Sequence, residues 1–164
     1  MKFRNGFVSN SSSSSFVVAF SKVPTSAEEV RQLMFEDISN YWSYDKEYNT
    51  TDIAERVFQD IKEQKKPASK KQITDAISCG YYEGAPDIPS LGGYHNKEKK
   101  EEVWAEFDKK WDKGAKNISK EFMTKNAVKV IYTFSYADNE NEFGSMMEHS
   151  GIFKNLPHIK ISCH

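Results

Sequence analysis

The chain has 164 residues, enough to bury roughly 70% of its unfolded surface in one core, so residues 1–164 are read as a single domain. Lys+Arg 23 against Asp+Glu 24 leave a formal net charge of -1, which gives no global field favouring nucleic acid or an anionic membrane. There is no run of about 18 apolar residues to cross a bilayer, and Lys2 and Arg4 are not followed by the apolar core of a secretory signal. The expectation is therefore a cytoplasmic protein without membrane contact, its two cysteines, Cys79 and Cys163, matching no metal or redox spacing and read as free thiols.

In chain order, Met1 to Val8 and Phe16 to Val23 read as short strands joined by Ser9-Asn10-Ser11-Ser12-Ser13-Ser14-Ser15. Pro24 stops the second strand, and Ser26-x-x-Glu29 is the capping box of a helix with Val30, Leu33 and Met34 on one face. The aromatic stretch Tyr41 to Tyr48 has no clear period and is read as irregular. Thr50 or Thr51 should cap a second helix with Ile53, Val57 and Ile61 inward, ended by Lys65-Lys66-Pro67. Ser69-x-x-Gln72 opens a third helix, carrying Ile73, Ala76 and Ile77 and closing near Gly80.

Gly84 to Gly93, broken repeatedly by Gly and Pro, reads as a long loop of the kind that often carries function. From Asn96 to Lys125 the chain reads as a charged helix, with Trp104, Phe107, Trp111, Ile118 and Phe122 as its apolar stripe and Gly114 as a point for a bend or a close contact. The period then changes. Val128, Val130, Tyr132 and Phe134 alternate as in a strand, Ala137 to Asn141 is a turn, Phe143 to His149 reads as a return strand, and His158 to Cys163 as a last one. The fold class expected is α+β: a mostly antiparallel sheet of about four or five strands from both chain ends, with about four helices from the middle packed on one face.

Candidate chemistry is sparse. A tight turn over Ser11, Ser12, Ser13, Ser14 and Ser15 would present amides and hydroxyls to a phosphate, with Arg4 or Lys2 supplying charge. No Gly-x-x-x-x-Gly-Lys pattern accompanies it, and a structural turn or a partner-facing loop is the competing reading. His149 and His158 are the candidate histidines. In an extended strand His158, Lys160, Ser162 and His164 share one face, and His158 and His164 lie roughly 20 Å apart, too far to share one ion. No metal or other cofactor is called for; a metal-dependent hydrolase would need His149 to converge with His158 or His164 and a carboxylate such as Glu148. Glu140-Asn141-Glu142 with Arg4 and the serines resembles the Arg, Ser-x-Ser and Glu-x-Glu elements of ADP-ribosyltransferases, but the few residues between Arg4 and the serines depart from that pattern and a charged turn explains them.

The segment from Arg4 to Phe16, Arg-Asn-Gly-Phe-Val-Ser-Asn-Ser-Ser-Ser-Ser-Ser-Phe, resembles the N-terminal signature of small proteins of tailed bacteriophages and bacteria. The segment from Glu148 to His164 is similar to phage-type C-terminal segments. Together they cover under a fifth of the chain. The resemblance implies a phage-related origin and no particular activity. With no complete catalytic motif, a neutral charge and 13% aromatic residues, the function expected is that of a phage-type accessory or virion-associated protein that binds a macromolecular partner, most simply a protein. The alternative is binding or processing of a nucleotide or phosphorylated small molecule at the serine turn, assisted by Arg4 and a C-terminal histidine.

Overall fold

The computed structural model describes residues 13–79, 97–138 and 141–163. The elements run β1 (Ser13–Phe20), α1 (Ala27–Phe35), β2 (Asn40–Ser43), β3 (Lys46–Asn49), α2 (Thr50–Gln64), α3 (Lys70–Ser78), α4 (Lys97–Lys125), β4 (Val130–Ala137), α5 (Glu142–His149) and β5 (His158–Cys163). The fold is α+β. The strand expected over Met1 to Val8 and the Gly84 to Gly93 loop lie outside the described residues.

Strand β1 is the centre of a three-stranded sheet ordered β4-β1-β5, antiparallel on both sides. Its composition explains its place, because Phe16 to Phe20 are apolar on both faces and only a strand covered on both sides can bury such a run. Phe16, Val18 and Phe20 face one core with Tyr132, Phe134 and Tyr136 of β4, closed by α1, α2 and α5. Val17 and Ala19 face a second core with Ile131, Ile73, Ile77, Ala115 and Phe122, built on α3 and α4. The helices therefore cover both faces of the sheet rather than one. Five strands are present among the described residues, but in two sheets, because β2 and β3 pair only with each other. Phe16, Phe134, Tyr136 and Phe153 form an aromatic group with centroid separations of 5.2 to 6.3 Å, close enough for the ring quadrupoles to add to area burial.

Several local expectations are corrected. The serine segment is already strand from Ser13, since the ladder to β4 and β5 begins there. Tyr41 to Tyr48 is a hairpin, with Tyr44 and Asp45 at φ 51 and 58 in its two-residue turn, the conformation of a type I′ connection. Asn49, not Thr50 or Thr51, caps α2: its side chain accepts from the Thr51 amide at 2.8 Å, and Thr50 is buried, its hydroxyl donating to the Ile38 and Ser39 carbonyls. Phe143 to His149 is helix rather than strand, because the Asn141 side chain accepts from the Gly144 amide at 2.8 Å and starts α5. In α4 the buried stripe runs through Ala115, Ser119 and Phe122, and Ile118 is exposed. Gly114 makes no close approach, for an added Cβ would meet nothing within 4 Å. Val128 precedes β4 and stands in solvent.

The cysteines are corrected too. Cys79, just after α3, and Cys163, at the end of β5, form a disulfide across 84 positions. β5 alternates as expected: Ile159 and Ile161 pack against the α3/α4 core while His158, Lys160 and Ser162 are exposed on the other face. That alternation points Cys163 toward α3, where Cys79 lies. No helix among the described residues is long and apolar enough to cross a membrane.

Candidate functional site

The polar convergence in the described chain lies where β1 begins and β4 ends. Asp138 follows β4 directly, and Glu148 and His149 close α5. One ligand atom each from Asp138, Glu148 and His149 lies within 4.8 Å of the others. Helix α5 sets this up, because Met146 and Met147 anchor it in the core and the turn that follows carries Glu148 inward with them.

Glu148 is 0% exposed. Its Oε1 stands 3.5 Å from the Ser14 hydroxyl, which donates to it at the outer limit for a hydrogen bond. Its Oε2 is buried and has no hydrogen-bond partner among the described residues; Nε2 of His149 lies 3.4 Å from it. A buried carboxyl group is costly unless hydrogen bonds or a cation satisfy it, and the second oxygen has no donor among the described residues. His149 sits in the last turn of α5, and the Tyr44 ring meets it edge-on at 6.4 Å between centroids.

Lys160 borders the site from β5. Its Nζ donates to the His149 carbonyl at 3.4 Å and lies 5.6 Å from the Phe16 ring centroid. Burial lowers the affinity of this amine for its proton, and the charge of Glu148 acts in the opposite direction. The arrangement offers two carboxylates, an imidazole and an adjoining ammonium, a set able to hold a cation or to exchange protons among its members.

The residues singled out in the sequence separate. Arg4, Ser11 and Ser12 lie outside the described residues. Ser13 and Ser15 point to the opposite face of β1 from Ser14, and the Ser13 hydroxyl donates to the Cys163 carbonyl at 3.1 Å. Ser14 and Ser15 are buried, so the hydroxyls of Ser13, Ser14 and Ser15 do not converge on one ligand, and the carboxylate beside Ser14 opposes a phosphate there. His149 belongs to the cluster. His158 does not: it pairs with Val18, whereas Ser162 pairs with Ser14, which sets His158 about 13 Å back along the strand. Its Nδ1 lies 2.9 Å from the Leu156 carbonyl.

Asp138, Lys160 and Tyr44 were not singled out as site residues. Asp138 was within reach of the strand pattern, since it continues the face of Tyr132, Phe134 and Tyr136 by period two. The Asn141 cap was the available signal that Glu148 and His149 end a helix.

Comparison with protein-family models, curated proteins and solved structures finds no match. Function is therefore argued from these residues alone.

Proposed function

We propose that the protein is a small accessory protein, of the phage type its terminal segments resemble, that acts by binding a protein partner through the tip of the β2–β3 hairpin. The observation that carries this reading is the exposure of Trp42 and Tyr44, at 67% and 72%. Large exposed aromatics at a fixed position are the side chains that most often anchor protein interfaces.

The hairpin is held by its inner face. Tyr41 packs on Phe35 at 5.7 Å and Tyr48 on Phe143 at 6.2 Å between centroids, and Lys46 pairs with Glu142 of α5 at 2.5 Å. Trp42 alternates with Tyr41 and Ser43 and is turned outward. A surface ordered before binding loses less conformational entropy on association. The Cys79–Cys163 disulfide supports a virion-associated destination over a lasting cytoplasmic one, since disulfides persist in oxidising surroundings.

The test is affinity capture with the wild-type protein and with Trp42→Ser/Tyr44→Ser, after checking that both unfold at similar temperatures. The reading expects a defined protein retained by the wild type and lost with the double variant. Identical captures from both would remove the hairpin from the account, and recovery of monomer alone would remove partner binding.

A further inference from the structure

We propose that Asp138, Glu148 and His149 form a binding site for one first-row divalent transition ion of the zinc or manganese class. Helix α5 buries Glu148 completely and leaves its Oε2 without a donor among the described residues, which places a strong acceptor where a cation would satisfy it. That oxygen lies 3.4 Å from Nε2 of His149, and one ligand atom each from Glu148, His149 and Asp138 lies within 4.8 Å of the others.

Geometry and donor type agree. Ligand atoms around a tetrahedral ion at about 2.1 Å are about 3.4 Å apart, so the Glu148 to His149 separation already fits and Asp138, within 4.8 Å of the other two, has to close by at most about 1.4 Å. One imidazole with two carboxylates is a mixed nitrogen and oxygen set, suited to zinc or manganese more than to calcium, which takes six to eight oxygens. Three protein ligands leave at least one coordination position for water or for an incoming group. Asp138 and His149, less buried than Glu148, provide the route by which an ion would enter.

The experiment uses the oxidised full-length protein, stripped with a chelator and titrated with Zn2+ by calorimetry and with Mn2+ by electron paramagnetic resonance. One ion per chain is expected, with a rise in Tm of about 5 to 10 °C when the ion is at 100 times its Kd. Asp138→Asn and His149→Ala should each weaken binding at least about tenfold, the loss typical even of outer-shell partners. Glu148→Gln should do the same if it folds; Asp138→Asn, nearer the surface, keeps the test decisive if it does not. His158→Ala should leave binding unchanged. Absence of binding at millimolar Zn2+ and Mn2+, or binding insensitive to Asp138→Asn and His149→Ala, would overturn the proposal.

Discussion

Glu28 and Glu29, both in the first turn of α1, hold their protons unusually weakly. The Arg31 guanidinium, then the Gln32 amide, bring Glu28 down from 4.5 to about 2; the Lys22 ammonium, then the Thr25 amide and hydroxyl, do the same for Glu29. A carboxylate depressed in the folded state contributes stability that is fully present above its unfolded value and is lost as pH falls through its folded value. Glu29→Gln should therefore flatten the acid limb of the stability curve between pH 4.5 and about 2, measured as Tm against pH; an unchanged limb would contradict the assignment. Asp60 behaves oppositely. Burial raises it above 3.8, against the pull of the Tyr136 hydroxyl, which donates to it at 2.8 Å, and of Arg56. The folded state then holds more protons than the unfolded one, so this group's contribution falls as pH rises from 3.8 toward its raised value. Asp60→Asn keeps an acceptor for Tyr136 and should make Tm decline less over that window; an equal or steeper decline would count against desolvation as the dominant cause.

Among the elements, the hairpin turn carries a conformational cost that the sequence does not hide. Tyr44 and Asp45 occupy the left-handed region, which is disfavoured for residues with a Cβ, though less so for asparagine and aspartate, and a type I′ turn prefers glycine at the second position that Asp45 holds. Asp45→Gly should stabilise the protein by about 1 kcal/mol, raising Tm by about 2 to 4 °C without touching Tyr44 or Trp42; a loss of stability would mean that Asp45 makes a contribution beyond the turn. The helix starts were readable for the same local reasons that make them stable. Ser69 and Gln72 form the complete capping box expected, and Ser69→Ala should cost about 1 kcal/mol in denaturant unfolding. At α1 the box is only half formed, because the Glu29 carboxylate reaches the Thr25 amide rather than that of Ser26. The misread elements had different causes, one set by partners distant in sequence and another by a local cap. Ser13 to Ser15 lack strand propensity and become strand because β4 and β5 flank them; Phe143 to His149 is too short for a helical period to show, and its Asn141 cap decides the matter.

At the scale of the molecule, the alternation in β4 and β5 made the α+β class and the outward face of β5 legible, but no local pattern told which helices lay on which side of β1. Helices on both faces require a central strand apolar on both, and Val17 and Ala19 beside Phe16, Val18 and Phe20 were the clue. The candidate metal site was half legible: Glu148 and His149 stood together, but Asp138 joins them only through the packing of α5 back against β4. The disulfide was not legible at all, since 84 positions separate its cysteines. Such a link removes closure entropy from the unfolded chain, so reduction should cost roughly 2 to 5 kcal/mol in denaturant midpoint analysis; equal stability with and without reductant would show the pair to be dispensable. The central claim, that the hairpin tip is where the protein meets its partner, is tested most directly by photo-crosslinking from a photoreactive phenylalanine placed at Trp42, with Ile118 on α4, also exposed, as the comparison position. The account predicts an adduct with one defined protein from position 42 and none from position 118. No adduct from position 42, or the same products from both, would contradict it.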